Sequence, residues 1–172
     1  MPARINLIKG DITQLEVDAI VNAANKTLLG GGGVDGAIHR VAGPALLEAC
    51  RKLNGCDTGD AKITEGYRLP SRFVIHTVGP VWSGGNRSEP GLLKSCYVRS
   101  LQLATDHQLK TIAFPNISTG VYGFPKAMAA EIAIDAIQSF QENPGTMEEI
   151  IFVLFDRENE TLYKNLLANP LS

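Results

Sequence analysis

Short runs of β-branched and aromatic residues alternate along this chain with longer segments of helical period, the pattern of an α/β domain. The apolar runs predict strands at residues 5–9, 19–22, 61–64, 73–78, 111–114 and 149–155. The last three (Phe-Val-Ile-His-Thr-Val, Thr-Ile-Ala-Phe and Ile-Ile-Phe-Val-Leu-Phe) are almost continuously apolar, as strands covered on both faces must be. Helices therefore belong on both sides of the sheet. Behind Pro44, Leu46, Ala49, Cys50 and Leu53 recur at helical spacing, which buries Cys50, and Asn54-Gly55 supplies a stop. Leu93, Cys96, Ser100, Leu103 and His107 repeat the period after Pro90, and Ala130, Ala133, Ile134, Ile137 and Phe140 repeat it after Pro125. Glu131, Asp135 and Gln138 fall on the solvated face of that last segment. A final helix is predicted over 158–168, with Asp156 as its N-cap and Glu160 one turn before Lys164. No connection is expected to exceed the one at 82–90.

The 172 residues make one domain spanning the chain. At this size roughly 70% of the unfolded surface is buried on folding, so no metal or disulfide is needed for stability. Sixteen Lys+Arg against 18 Asp+Glu give no basic footprint for nucleic acid, and any anion must be gripped locally. Three cysteines, Cys50, Cys56 and Cys96, show no C-x-x-C spacing, which excludes a disulfide framework and a zinc site as expectations. The first residues carry no apolar leader and no stretch reaches the ~18 apolar residues of a membrane span. A monomeric, cytoplasmic chain with reduced thiols, no membrane and no metal is the expectation.

Glycine changes the picture. There are 17, about 10% of the chain against a usual ~7%, and they cluster at Gly30-Gly31-Gly32-Gly33 and Gly36. This run leaves a strand and enters a helix, where open α/β sheets bind ligands. Such a loop, with a helix N-terminus behind it, makes an anion site of backbone N–H groups; the competing reading is a merely flexible loop. Asn25 and Asp35 flank it and are placed to meet over it. No P-loop or dinucleotide fingerprint matches. A second turn, Ser118-Thr119-Gly120-Val121-Tyr122-Gly123, again joins strand to helix and offers a facing wall. Ser118 reads there as a backbone donor with help from its hydroxyl, since the nucleophile-elbow motif is missing. Asp11, at the end of the first strand, reads as an Asx turn or as an acceptor for a base's exocyclic amine. His76 reads as a hydrogen-bonded core histidine, His107 as a helix-end residue suited to the dipole, and His39 as a residue that orients the glycine loop.

Taken together, Gly10-Asp11-Ile12-Thr13, Val21-Asn22-Ala23-Ala24-Asn25, the glycine run through Val34-Asp35-Gly36-Ala37-Ile38-His39, Cys56 to Ala61, His76-Thr77-Val78-Gly79-Pro80 and Ile117 to Gly123 resemble the macrodomain family. Within it they are most similar to the MacroD-type branch and its bacterial O-acetyl-ADP-ribose deacetylases. The resemblance implies a three-layer α/β/α fold with a mixed central sheet and a cleft for ADP-ribose. Asp11, with the Ile12 N–H, would hold the adenine amine and Phe155 would stack on the ring. The backbone of Gly32, Gly33 and Val34, with Ser118, Thr119, Gly120, Val121 and Tyr122, would wrap the diphosphate and distal ribose. Asn25 would bond the ribose hydroxyls, and Asp35 would be the catalytic carboxylate.

The implied chemistry is hydrolysis of esters at the distal ribose, with no cofactor. The implied partners are ADP-ribose, its O-acetyl ester and mono-ADP-ribosylated Asp or Glu side chains of proteins. Asp35 either deprotonates a water or polarises a ribose hydroxyl. A non-catalytic ADP-ribose reader is the alternative, because a fold by itself does not establish an activity.

Overall fold

The computed structural model describes residues 3–168. Among these, six strands, β1 (Arg4–Lys9), β2 (Ala19–Ala24), β3 (Ala61–Glu65), β4 (Phe73–Val78), β5 (Thr111–Phe114) and β6 (Glu149–Leu154), form one sheet in the order β1-β6-β5-β2-β4-β3. All neighbours run parallel except β3, which is antiparallel to β4. The five helices are α1 (Gly33–Ala42), α2 (Pro44–Lys52), α3 (Glu89–Asp106), α4 (Lys126–Gln141) and α5 (Arg157–Ala168).

Successive residues of a strand point to opposite faces, and the core divides accordingly. Ile20, Val74, Ala113 and Ile151 join Ile38, Leu46 and Cys50 beneath α1 and α2. Val21, Ile75, Ile112, Phe114 and Phe152 meet Leu93, Tyr97, Ala133 and Tyr163 from α3, α4 and α5 on the other side. An aromatic chain runs through this second layer, with ring centroids 5.0 Å apart for Tyr97 and Phe114, 6.1 Å for Phe114 and Phe152, and 4.9 Å for Phe152 and Tyr163. At its end the Tyr163 hydroxyl donates to Asn116 Oδ1 at 3.0 Å, tying α5 to the segment after β5. Helices thus cover both faces, the three-layer α/β/α sandwich that the apolar runs required.

Several boundaries differ from expectation. β2 continues to Ala24, because Asn22, Ala23 and Ala24 stay in register with His76, Thr77 and Val78 of β4. β6 ends at Leu154 rather than 155, which frees Phe155 from the sheet. On α3 the buried face is Leu93, Cys96, Tyr97, Ser100, Leu101 and Ala104; Leu103 is only half-buried and His107 is exposed. Leu103 lies at the edge of the stripe that 3.6 residues per turn generates from Leu93, and His107, though on the stripe's angle, follows the last helical residue, Asp106. The connection over 115–125 outruns the one at 79–88. α5 begins one residue earlier than read, at Arg157, but its cap and ion pair are as read: Asp156 Oδ1 accepts from the Asn159 N–H at 2.8 Å, and Glu160 pairs with Lys164 at 3.0 Å.

Glu89 holds the 79–88 connection in shape. Its buried carboxylate accepts the N–H groups of Ser83 at 2.8 Å, Gly85 at 3.0 Å and Arg87 at 2.6 Å. Burial pushes that carboxyl up, but the backbone donors prevail and bring it down to about 2. The loop so fixed supports the next one: the Trp82 N–H donates to the Tyr122 carbonyl at 2.8 Å, and the Trp82 ring stands 4.8 Å from that of Phe124.

Candidate functional site

Because β1, β2, β4, β5 and β6 are parallel, their C-terminal ends emerge on one edge of the sheet, and the segments that follow them surround a cleft of about 790 Å³. This is where an open α/β sheet offers a binding crevice. Asp11 and Ile12 enter it from the end of β1, and Asn25 with Gly32, Gly33, Val34 and Asp35 from the end of β2. Ser118, Thr119, Gly120, Val121 and Tyr122 enter after β5, and Phe155 after β6. Every residue that the family resemblance assigns to the ligand therefore borders one cavity.

The first wall is the glycine run. Gly30 and Gly33 take φ of +94° and +58°, a region in which side chains are strained. A Cβ at Gly36 would lie 2.5 Å from the Gly31 carbonyl oxygen, so the run can fold back onto α1 only over a bare Cα. The N–H groups of Gly33 and Val34, in the first turn of α1, lack intrahelical acceptors by their position and carry the positive end of the helix dipole. Asn25 stitches the turn leading in: its Nδ2 donates to the Gly30 carbonyl at 3.0 Å, and its Oδ1 accepts from Leu28 N–H at 3.1 Å and Thr27 Oγ1 at 2.7 Å. His39 packs its ring against Gly30 and brings Nε2 to 3.4 Å from Asp35 Oδ1.

The second wall is Ser118 to Tyr122. The N–H groups of Thr119, Gly120, Val121 and Tyr122 donate to no backbone carbonyl among the described residues, so this wall too presents open donors. Ser118 itself sits at φ +67°. Its hydroxyl does not face the cleft: Oγ is closed off from solvent with no partner, at a point 2.1 Å from where a Gly79 Cβ would stand. The help expected from that hydroxyl is therefore not available, and the wall consists of backbone.

Between the walls, Asp35 is buried and occupies the first turn of α1. A methyl group added at Gly31 would sit 3.2 Å from Asp35 Oδ2 and 3.5 Å from Asn25 Nδ2, so the two side chains converge across this bare position. At the far end, Asp11 Oδ1 accepts from Thr13 N–H at 2.9 Å and Thr13 Oγ1 at 2.7 Å. That is the Asx turn; Oδ2 takes no part in it. Phe155 is 87% exposed and Val121 fully so, two apolar side chains standing uncovered at the rim.

Behind Asp35 stands His76, the hydrogen-bonded core histidine that the sequence predicts, but its partner Asn22 and the link to Asp35 were missed. Asn22 Nδ2 donates to Asp35 Oδ1 at 2.9 Å and lies 3.2 Å from His76 Nδ1. Burial, with His39 nearby, brings the His76 ring down to about 4 against the opposing pull of Asp35. A polar residue interrupting each of two apolar strands was the available signal. Burial also raises the thiols of Cys50, Cys56 and Cys96 to about 11. Among the described residues no group of His, Cys, Asp and Glu is placed to hold a metal ion, and no helix is long and apolar enough to cross a membrane.

Fold and site define a class: a three-layer α/β/α domain whose strand ends carry a cleft walled by backbone donors, with one buried carboxylate inside it. The Macro domain family model matches residues 21–133, and this chain belongs to that family. It is 61% identical to a macro domain-containing protein of Chlorobaculum tepidum over 95% of both chains. It is 57% identical to a protein of Escherichia fergusonii named O-acetyl-ADP-ribose deacetylase, over 98% of this chain and 97% of that one. Among solved structures, the Oceanobacillus iheyensis macrodomain with ADP superposes with a TM-score of 0.89 at 46% identity, covering 94% of this chain and 88% of the other. The Trypanosoma brucei macrodomain in complex with ADP-ribose gives 0.90 at 45% identity over 95% of this chain and 69% of that one.

Proposed function

We propose that this protein binds ADP-ribose and hydrolyses esters on its distal ribose, taking both O-acetyl-ADP-ribose and mono-ADP-ribosyl groups ester-linked to Asp or Glu side chains. The observation that carries the reading is the convergence of Asp35 Oδ2 and Asn25 Nδ2 across Gly31, between two walls of backbone donors. Relatives named O-acetyl-ADP-ribose deacetylase and macrodomain structures holding ADP and ADP-ribose support it. The diphosphate lies between the N–H groups of Gly33 and Val34 and those of Thr119 to Tyr122, with the dipole of α1 pointing at it. Adenine stacks on Phe155, and its amine donates to the Asp11 carboxylate. Asn25 fixes the distal ribose, so that the ester bond lies beside Asp35.

Asp35 then takes a proton from a water whose oxygen adds to the ester carbonyl carbon. The tetrahedral adduct collapses by breaking the bond to the ribose oxygen, which leaves with the proton; the products are ADP-ribose and a carboxylic acid. General-base help of this kind is worth about 10²–10⁴-fold. The test is turnover of O-acetyl-ADP-ribose by the wild-type protein and by Asp35→Ala, with ADP-ribose affinity measured by calorimetry for both. Loss of turnover by at least about a hundredfold with retained affinity is the expected result. Equal turnover removes Asp35 from the mechanism, and tight binding with no cleavage by the wild type identifies a non-catalytic reader instead.

A further inference from the structure

Behind Asp35 the protein buries more hydrogen-bonding capacity than its core needs. Asn22 and His76 are both fully buried, face each other across β2 and β4, and lie outside the lining of the cleft. Thr64 on β3 bonds the far side of the His76 ring, Oγ1 to Nε2 at 3.0 Å, and Cys50 Sγ stands 3.7 Å from the same nitrogen. We propose that His76, locked by Thr64 with its proton on Nε2, is a positioning residue that fixes the Asn22 amide and through it aims the Asp35 carboxylate at the ester. The proposal rests on the reading of Asp35 as the base.

The hydrogen bonds determine the lock's direction. One nitrogen, Asn22 Nδ2, meets both Asp35 Oδ1 at 2.9 Å and His76 Nδ1 at 3.2 Å. An amide nitrogen only donates, so both partners accept. His76 Nδ1 therefore carries its lone pair, the ring proton is on Nε2, and Thr64 Oγ1 is the group that receives it. Were the ring to switch tautomer, Nδ1–H would confront the Asn22 amide and turn its oxygen toward the Asp35 carboxylate. A neutral ring is essential, and the depth of burial that brings His76 down to about 4 keeps it neutral at ordinary pH. The arrangement leaves Asn22 Oδ1 buried without a partner, a costly condition in a core. An apolar residue at 22 would avoid that cost, and what asparagine adds is the pair of N–H groups bridging ring and carboxylate.

The experiment uses kcat for O-acetyl-ADP-ribose and Kd for ADP-ribose, measured on His76→Leu, His76→Gln, Thr64→Val, Asn22→Ala and the Thr64→Val, Asn22→Ala double variant. His76→Leu should lower kcat about 10- to 100-fold, the scale of losing a catalytic group's orientation, with Kd unchanged because none of these residues touches the cleft. His76→Gln, which again offers one acceptor and one donor, should restore most of the rate. Thr64→Val, a near-isosteric change on the edge strand, should cost about fivefold, the net worth of one hydrogen bond, and should cost nothing further once Asn22 is alanine. Multiplying effects in the double variant, or an undiminished kcat in Thr64→Val and His76→Leu, overturns the lock while leaving Asp35 as the base. Should His76→Leu fail to fold, the Thr64→Val cycle decides alone. Wild-type turnover by Asp35→Ala would overturn the lock together with the reading it stands on.

Discussion

Acidification from pH 7 to pH 4 should destabilise the protein through one buried ring, and His76→Gln should abolish that part of the loss. The His76 pKa falls from an ordinary 6.5 to about 4 in the fold, first because of burial and then because of the neighbouring His39, with Asp35 opposing. Above 6.5 neither the folded nor the unfolded chain protonates this ring, and the fold bears no penalty. As the pH drops below 6.5 the unfolded state gains a proton that the folded state refuses, so unfolding is favoured progressively until about pH 4. At about 1.4 kcal/mol per unit, that interval amounts to about 3 kcal/mol. A loss of this size is a large share of the roughly 5–15 kcal/mol that holds a domain together. With a urea m-value of about 2 kcal/mol/M, the midpoint falls by about 1.5 M. The assay is urea unfolding from pH 7 to 4, followed by far-ultraviolet circular dichroism and by the fluorescence of Trp82, the one tryptophan. Asp60, Asp156 and Glu160 are all held below their ordinary values, chiefly by hydrogen bonds, and give up stability as the pH falls past about 4. They do so equally in both proteins and cancel in the difference. If the wild-type and His76→Gln curves run parallel within about 0.5 kcal/mol across the interval, the surface-mutation scale of scatter, the claim that His76 is buried neutral is refuted.

Two further substitutions test the walls and the rim. Gly36→Ala places a Cβ 2.5 Å from the Gly31 carbonyl oxygen; it should destabilise by about 1–3 kcal/mol as an overpacking change and, by displacing the glycine wall, weaken ADP-ribose in a calorimetric titration. Unaltered affinity would separate the wall from binding. Phe155→Ala removes a ring that is 87% exposed, so the melting midpoint should stay put while ADP-ribose affinity drops by about 1–3 kcal/mol, the worth of one base stacked on an aromatic; a shift in the midpoint with no loss of affinity would make Phe155 structural.

What could be read from the chain and what could not follow from the range of the interactions involved. β4, β5 and β6 were legible because Val74 and Ile75, or Ile112 and Ala113, go to opposite layers that are both apolar, so the run itself encodes burial on two faces. The glycine run and Asp35 were legible because a strand-to-helix turn is local. The partnership of Asn22 with His76 was not: they lie 54 positions apart and meet only through the β2–β4 register. Ser118 likewise reads as a hydroxyl offered to a ligand until Gly79, from another strand end, is seen to leave a hollow that receives it. Phe155 was expected at the last strand's end, yet its exposure depends on β6 stopping one residue earlier.

The same geometry explains how a chain with net charge -2 can present an anion site. Only two cationic side chains border the cleft among the described residues, Arg40 and Lys126. Lys126 is occupied, 3.0 Å from Glu158 and 3.6 Å from Asp156. On the proposed reading, a diphosphate seated here is held by N–H groups of two loops and a helix terminus, whose donors no side-chain truncation removes. The vulnerability is reversed: the walls keep their shape because Gly36 leaves room for the Gly31 carbonyl and Gly79 leaves room for Ser118. Binding should thus tolerate the loss of Arg40 or Lys126 better than the gain of one methyl group at either glycine. On the proposed reading, the glycine surplus is the physical form that anion recognition takes in a chain of net charge -2.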